Sequence, residues 1–275
     1  MSRAFLDGFW YTATRQGVPE VLRALLEGPH ADVVDVFLWN DRVPYSSRID
    51  ELGIDDRLRS FSEMRGLDVD VLHVNSPFEV PDVGDLMPPV RARRIVVTCY
   101  DLIPLLFPER YLADRRINAI YRSRLGLIAA ADAVVTDSQS AADDVAEHLG
   151  VSPRRVTVIG GGVSDQFVPP TTPLAERIAT LRTAVPDIGP RYILVPTAAD
   201  SRKNSVGAIE AFANLPSELR ERHQLVLFCR LAHEQRAKLI AVTRRNGVED
   251  RVIITGFVPD DLLVSLYQSA ELVFF

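Results

Sequence analysis

The chain has 275 residues, of which 47% are hydrophobic and 25% are charged, and its formal net charge is -6. This balance is typical of a globular protein and excludes disordered, collagen-like and disulfide-scaffold chains. The acidic charge provides no global attraction for nucleic acid, so we expect no nucleic-acid partner. At ~150 residues per domain, the length predicts about two domains.

Ten short apolar runs rich in β-branched residues predict buried strands. In chain order they are residues 4–7, 33–38, 69–74, 95–99, 133–137, 155–159, 192–196, 224–229, 251–255 and 271–275. Helical periodicity falls between many of them, at residues 18–28, 114–131, 140–149, 173–184, 205–215, 234–246 and 260–269. Residues 40–66 are charged and poorly patterned, and they indicate no clear element.

Strands that alternate with helices predict an α/β fold, in which a mostly parallel sheet is covered on both faces. Residues 167–173 contain three prolines and predict a stiff, extended connector. We therefore predict two α/β domains, residues 1–168 and 169–275, with a cleft between them.

The sequence shows neither a membrane-spanning segment nor a signal peptide, which bears on the cellular compartment of the protein. No apolar run reaches the ~18 residues of a membrane-spanning helix, and residues 1–7 lack the pattern of a signal peptide. Cys99 and Cys229 stand far apart in apolar runs, which indicates buried free thiols in a reducing compartment. We expect a cytoplasmic protein.

Ligands of open α/β sheets bind beyond the carboxyl ends of the strands, so each strand-to-helix loop is a candidate site. The loop 197–204 ends with Arg202, Lys203 and Asn204, where Asn204 is a plausible N-cap of the next helix. A helix N-terminus beside an arginine fork and a lysine suits a pyrophosphate. The alternative is that both cations solvate a surface loop.

Glycines mark two further loops. Gly17 precedes the first predicted helix and would let a ligand approach the backbone, or it is an ordinary turn glycine. Gly160, Gly161 and Gly162 indicate close backbone approach or interdomain flexibility. They do not form G-x-G-x-x-G, so a dinucleotide fingerprint is not supported.

Polar residues at the ends of first-domain strands are the other candidates. Tyr100 and Asp101 follow the strand 95–99, where a catalytic or sugar-binding group would lie; alternatively, Asp101 caps a turn and Tyr100 packs. His73 is either a strand-end ligand contact or a core histidine. The Asp68-Val69-Asp70 pattern precedes its predicted strand, which argues against a metal site. The other histidines lack metal-ligand spacing, and we expect no metal.

Arginines gather around the predicted helix 114–131: Arg110, Arg115, Arg116, Arg122 and Arg124. The apolar stripe of that helix is Ile117, Ile120, Tyr121, Leu125 and Ile128. The arginines form either a solvated basic face or a docking surface for anionic lipid or a lipid-linked substrate.

Taken in order, these stretches resemble the retaining glycosyltransferases of the GT-B fold, specifically glycosyltransferase family 4. In the first domain the likeness lies in residues 96–104 with 107–109, in 131–138 with Ser140, and in 156–163 followed by 167–169. In the second domain it lies in residues 191–204, 251–257, 266–267 and 270–275. The ordered set carries the resemblance, which runs through almost the whole chain.

The resemblance implies two Rossmann-like domains that transfer a sugar from a nucleotide-sugar to a saccharide or lipid-linked acceptor, with retained anomeric configuration. It implies no metal or other cofactor and a role in polysaccharide biosynthesis, with peripheral contact at the inner face of the membrane left open. The catalytic residues it implies are Tyr100 and Asp101, and the acceptor-side residues are His73 and Ser138. The donor-binding residues it implies are Gly17, Thr197, Arg202, Lys203, Asn204, Phe257 and Val258.

Three features depart from the family pattern. Tyr100 stands where the family usually has a histidine that contacts the donor sugar, and Cys229 stands where it usually has a glycine. The family's paired glutamates would follow a strand like residues 272–275, and the sequence stops before them, so we expect this chain to be inactive or nearly so alone.

A non-catalytic carbohydrate- or nucleotide-binding module and a GT-B-like sugar-nucleotide epimerase are the alternatives to a glycosyltransferase. The apolar run at 272–275 also predicts an aggregation or dimerisation edge.

Overall fold

The structure is a computed structural model that describes residues 3–6, 36–39, 58–60, 63–75, 77–78, 90–163, 165–197, 200–228, 231–256 and 258–275. The predicted helix at 18–28 and the positions Gly17, Cys229 and Phe257 lie outside these ranges. The chain divides into two compact units, Met1–Gly162 and Val163–Phe275.

The first unit contains a seven-stranded parallel sheet in the order β3-β2-β1-β4-β5-β6-β7. Its strands are β1 (Arg3–Leu6), β2 (Val36–Trp39), β3 (Leu58–Ser60), β4 (Asp68–Asn75), β5 (Arg91–Thr98), β6 (Ala133–Thr136) and β7 (Val156–Val158). The strand order runs outward in both directions from β1 and β4. The switch point of this doubly wound sheet therefore lies between these two strands.

Three of these strands begin earlier than the sequence pattern indicates, and for β1 the difference is one residue. β5 begins at Arg91 rather than residue 95, because its first four residues face solvent or are only partly covered and carry no apolar run. β4 begins at Asp68, so the Asp68-Val69-Asp70 pattern lies inside the strand and not before it. Asp68 accepts from the Arg91 guanidinium at 2.7 Å, at the amino-terminal end of the strands. This end is opposite the edge where ligands of parallel sheets bind.

Four helices follow β5 and β6: α1 (Ile103–Leu106), α2 (Pro108–Tyr111), α3 (Arg115–Ala130) and α4 (Gln139–Leu149). α1 and α2 have four residues each, too few for a helical period to be visible in the sequence. α3 starts at Asp114, whose side chain accepts from the backbone N–H groups of Arg116 and Ile117. α4 ends at Gly150, which has a left-handed φ of 65°.

The structure corrects three details of these helices. α4 begins at Gln139, one residue before the predicted start, and its N-cap is Ser138, whose hydroxyl accepts from the Ala141 backbone N–H at 3.2 Å. Arg124 does not belong to an exposed basic face, since it is only 1% exposed and lies on the buried side of α3 with Tyr121. Ile117, placed in the apolar stripe by its spacing, is 53% exposed.

The second unit contains a four-stranded parallel sheet in the order β10-β9-β8-β11. Its strands are β8 (Tyr192–Pro196), β9 (Gln224–Phe228), β10 (Val252–Ile254) and β11 (Leu272–Val273). Its helices are α5 (Leu174–Leu181), α6 (Ser205–Ala213), α7 (Ser217–Arg222), α8 (His233–Arg245) and α9 (Asp260–Ser269). Two groups of buried apolar side chains cover the sheet, one with α5 and α9 and the other with α6 and α8. The predicted fold class is confirmed for both units.

The proline-rich segment is attached to the second unit. The Gln268 side chain donates to the Val168 carbonyl at 2.7 Å, and the rings of Phe167 and Tyr267 make an edge contact with centroids 5.7 Å apart. The Arg177 side chain joins the Thr172 carbonyl to Ser269. Within the described ranges, no helix combines the length and the hydrophobicity needed to cross a membrane.

Candidate functional site

The carboxyl ends of β4, β5 and β6 meet at one edge of the first sheet. Register pairs Asn75 with Thr98 and Thr98 with Val135. The end of β4 borders the switch point of the sheet, the place where open α/β sheets bind ligands. This edge holds four of the residues singled out in the sequence: His73, Tyr100, Asp101 and Ser138.

His73 points from β4 to the neighbouring strand. Its Nε2 lies 2.7 Å from the Thr98 hydroxyl, which stands at the end of β5. Burial lowers the pKa of His73 to about 4, because desolvation penalises the imidazolium. The ring is therefore neutral near pH 7 and can hydrogen-bond a hydroxyl, but it cannot supply a positive charge.

Tyr100 is fixed by a residue that sequence reasoning missed. Its hydroxyl donates to the Asn75 side-chain oxygen at 3.0 Å, across a separation of 25 residues. Asn75 is the last residue of β4 and is buried. Because a phenol has a single proton and this one is directed at Asn75, Tyr100 is oriented to meet a ligand hydroxyl as an acceptor.

Asp101 and Ser138 each accept a backbone hydrogen bond near the beginning of a helix. The Asp101 carboxylate accepts from the Ile103 backbone N–H at 3.0 Å and caps the turn before α1, as the turn-capping alternative anticipated. Ser138 caps α4 and is exposed. Asp101 is partly exposed, so its carboxylate can still reach a ligand at this edge.

Cys99 separates β5 from Tyr100. It is buried and unpaired with another cysteine, which confirms the sequence prediction for this residue. Burial, reinforced by the carboxylate of Asp101, raises the pKa of its thiol to about 12. A protonated, buried thiol is a poor nucleophile, so the surroundings of Cys99 favour packing over reaction.

The second sheet has its switch point between β8 and β11, and the loop after β8 opens there. The Thr197 backbone N–H donates to the Phe228 carbonyl, and its hydroxyl contacts that of Ser205 at the start of α6. Asn204 has a left-handed φ of 44°, and its side chain accepts from the Gly207 backbone N–H at 3.2 Å. Asn204 is the N-cap of α6, as its position in the sequence predicts.

Both cations of this loop are exposed, and both have contacts. The Asp200 carboxylate accepts from the Arg202 backbone N–H at 2.8 Å and from its Nε at 3.0 Å, with Nη2 at 2.9 Å. The Lys203 ammonium lies 4.7 Å from the centroid of the Phe275 ring. Lys203 thereby connects the loop after β8 with the end of β11, the other strand of the switch point.

Val258 follows β10 and is only 5% exposed. Its side chain packs in the core beside α9, so a donor could contact only its backbone. The neighbouring Gly256 has a φ of 80°, a conformation that favours glycine. Within the described residues, no cluster of three histidine, cysteine, aspartate or glutamate side chains could hold a metal ion.

The two units therefore present different chemistry at their ligand-binding edges. The first offers neutral hydrogen-bonding groups around Tyr100 and the carboxylate of Asp101, which suit hydroxyl-rich ligands. The second offers cations beside a helix N-terminus, which suit an anion. Sequence reasoning missed Asn75, Thr98 and Asp200. Each is a polar residue within three positions of a predicted one, but only strand pairing and loop folding show what it contacts.

Two family models match the chain. The model of Glycosyltransferase Family 4 matches residues 15–167, and the model of Glycosyl transferases group 1 matches residues 182–275. The serotype-specific mannosyltransferase WbdA of Escherichia coli is 35% identical over 185 residues, which are 66% of this chain and 22% of WbdA. The chain thus spans 22% of the length of the curated relatives it matches.

Solved glycosyltransferase structures share the fold. Anabaena Alr3699/HepE in complex with UDP superposes with a TM-score of 0.66 at 17% identity, over 99% of this chain and 73% of that chain. WaaG, a glycosyltransferase involved in lipopolysaccharide biosynthesis, superposes with a TM-score of 0.57 at 17% identity, over 98% of this chain and 73% of that chain. These similarities show the two-unit GT-B architecture.

Proposed function

The chain belongs to glycosyltransferase family 4, and from that membership we propose that it moves a hexose from a nucleotide-sugar to a saccharide or lipid-linked acceptor, with retained anomeric configuration. WbdA is described as a mannosyltransferase, and HepE has been solved with UDP and with UDP-glucose. Both support a nucleotide-sugar donor. WaaG, described as involved in lipopolysaccharide biosynthesis, supports a place in polysaccharide biosynthesis.

The observation that carries the proposal is the loop after β8. Arg202 and Lys203 are exposed cations next to the N-terminus of α6, at the switch point of the second sheet. A leaving nucleoside diphosphate gains negative charge as its bond to the sugar breaks, and such groups stabilise that charge electrostatically. We assign donor binding to this loop, with Thr197 and Asn204 shaping it and Gly17, Phe257 and Val258 as further donor contacts.

The first unit is the proposed acceptor side. His73 and Ser138 would contact the acceptor, and Tyr100 with Asp101 would act on the transferring sugar. A neutral His73 and a tyrosine oriented as an acceptor can bind hydroxyl groups, whereas neither adds positive charge. The proposed transfer therefore relies on the second unit for charge stabilisation and uses no metal or other cofactor.

We also propose that the protein acts in the cytoplasm, with peripheral contact at the inner face of the membrane. Support comes from α2 and α3, where Arg110, Arg115, Arg116 and Arg122 are exposed together with Ile117. Arginines beside exposed apolar side chains favour anionic lipid surfaces. Co-sedimentation with phosphatidylglycerol vesicles, but not with phosphatidylcholine vesicles, is the expected result; equal sedimentation with both would contradict it.

Donor binding is tested by calorimetric titration of this chain with UDP, GDP, UDP-glucose and GDP-mannose. Replacing Arg202 by Met should weaken nucleotide binding by about tenfold, the loss expected for one partly exposed charge-assisted hydrogen bond. Arg222→Met is the matched control, because Arg222 is also an exposed arginine paired with a carboxylate, that of Glu218 at 3.2 Å. No binding of any of these nucleotides would refute the proposed function.

Transfer is tested on the longest gene product that carries this sequence. Nucleoside diphosphate release that requires an acceptor indicates a transferase, while a changed sugar without an acceptor indicates an epimerase. Binding without turnover, with turnover gained in Tyr100→His, would instead favour the non-catalytic module.

A further inference from the structure

The Asp200 carboxylate occupies the groups that a phosphate would use. One of its oxygens accepts the Arg202 backbone N–H, and the other faces Nε and Nη2 of the same guanidinium. A phosphate can likewise place one oxygen against the nitrogens of an arginine fork and another on a loop N–H. Asp200 thus resembles a bound anion, supplied by the loop itself.

We infer that Asp200 is an internal counter-anion, which competes with the diphosphate of the nucleotide for Arg202 and so lowers the affinity of the loop for nucleoside diphosphate. This inference rests on the proposed donor site. Donor binding then exchanges one anion for another at Arg202. When the nucleoside diphosphate leaves after transfer, Asp200 again becomes the partner of the Arg202 guanidinium. The release of the product therefore does not leave the charge of Arg202 without a counter-charge.

The exposure of the pair makes this exchange feasible. The side chains of Arg202 and Asp200 are 42% and 26% exposed, so a dissolved anion can reach them and the carboxylate can turn into water. The cost of separating an exposed ion pair is small. A deeply buried pair would instead hold Arg202 permanently.

A different role for Asp200 gives the opposite prediction. If the carboxylate served to hold Arg202 in the orientation that the diphosphate needs, its removal would weaken nucleotide binding, because the guanidinium would lose its positioning. If the pair were a surface contact without influence on the ligand, its removal would change nothing. Removal of the carboxylate therefore strengthens nucleotide binding in the first role, weakens it in the second and leaves it unchanged in the third.

The experiment measures the dissociation constants of UDP and GDP for this chain by titration calorimetry. The variant is Asp200→Asn, whose amide oxygen can still accept the Arg202 backbone N–H but carries no charge. The matched control is Glu218→Gln, which removes one carboxylate from another exposed arginine pair of the same unit. Thermal unfolding and circular dichroism check that each variant is folded, and Asp200→Ser is the second variant should Asp200→Asn fail to fold.

We expect Asp200→Asn to bind the nucleotide about two- to fivefold more tightly than wild type, the gain that corresponds to an exposed ion pair, with Glu218→Gln unchanged. The gain should disappear in the double variant Asp200→Asn with Arg202→Met. It should also shrink at high salt, because the interaction of exposed charges is screened. Unchanged or weaker binding by Asp200→Asn overturns the inference, and so does a gain that persists without Arg202. If wild type binds neither UDP nor GDP, the proposed donor site is refuted together with it.

Discussion

His73 makes the stability of the first unit depend on pH in a way that can be worked out from its surroundings. Burial lowers its pKa from 6.5 to about 4. Between these two values the unfolded chain binds a proton that the folded chain excludes, so stability is full above the unfolded pKa and falls as the pH drops toward the folded one. The proton linkage of this one group predicts a loss of about 2 kcal/mol between pH 7 and pH 5.

The comparison variant is His73→Gln, which keeps a group able to hydrogen-bond the Thr98 hydroxyl but does not titrate. Urea unfolding at pH 7, 6 and 5 gives the free energy of unfolding of both proteins. Both tryptophans of the chain, Trp10 and Trp39, belong to the first unit, so their fluorescence reports on this unit. Carboxylates that weaken the protein in acid act equally in both and cancel in the difference.

Wild type should therefore lose about 2 kcal/mol more than His73→Gln between pH 7 and pH 5. His148 lies exposed on α4, and His148→Gln is the control for the replacement of a histidine by glutamine elsewhere in the first unit. If wild type and His73→Gln lose stability in parallel, the pKa of His73 is the same in the folded and the unfolded chain. In that case the reasoning that burial lowers this pKa is wrong.

Two further predictions concern single hydrogen bonds. Asn75→Leu and Tyr100→Phe should show a coupling of about 0.5–1.5 kcal/mol in a double-mutant cycle of unfolding free energies, because they share one hydrogen bond; additive effects would contradict the 3.0 Å contact. Tyr192→Phe should destabilise the second unit by about 1–3 kcal/mol, since the buried Tyr192 hydroxyl donates to the Leu266 carbonyl at 2.6 Å and its loss leaves that carbonyl unpaired. Thermal unfolding followed by circular dichroism measures this second effect, and an unchanged transition would refute it.

Strongly patterned elements were predicted with accurate bounds. The strand predicted at 192–196 is β8, and the helix predicted at 260–269 is α9, residue for residue. Burial on both faces makes a strand continuously apolar, and one buried stripe gives a helix its period. The first half of β5 is largely exposed and has no apolar run, so the sequence pattern predicts the start of this strand too late. Arg124 is a second case, because a charged residue is expected at the surface although this one is buried.

The candidate site could be predicted only as a set of loops. Tyr100 and Asp101 follow a strand and Arg202 precedes a helix, and these local facts are visible in the sequence. The hydrogen bond between Asn75 and Tyr100 depends on the pairing of β4 with β5. The contact of Lys203 with Phe275 depends on the pairing of β11 with β8. No short stretch of the sequence predicts either pairing of strands.

The sequence by itself determined most strand and helix positions and the loops proposed to face a ligand, because each depends on the residues of one short stretch. It also determined the family, through the order of such stretches along the chain. Tertiary structure decided the strand order, and with it the two switch points and the partners of each polar side chain. Strand order depends on contacts between residues far apart in the chain, and these form only when the whole sheet is assembled. Asp200 could not be assigned from the sequence either, although Arg202 is only two residues away, since their contact forms only when the loop is folded.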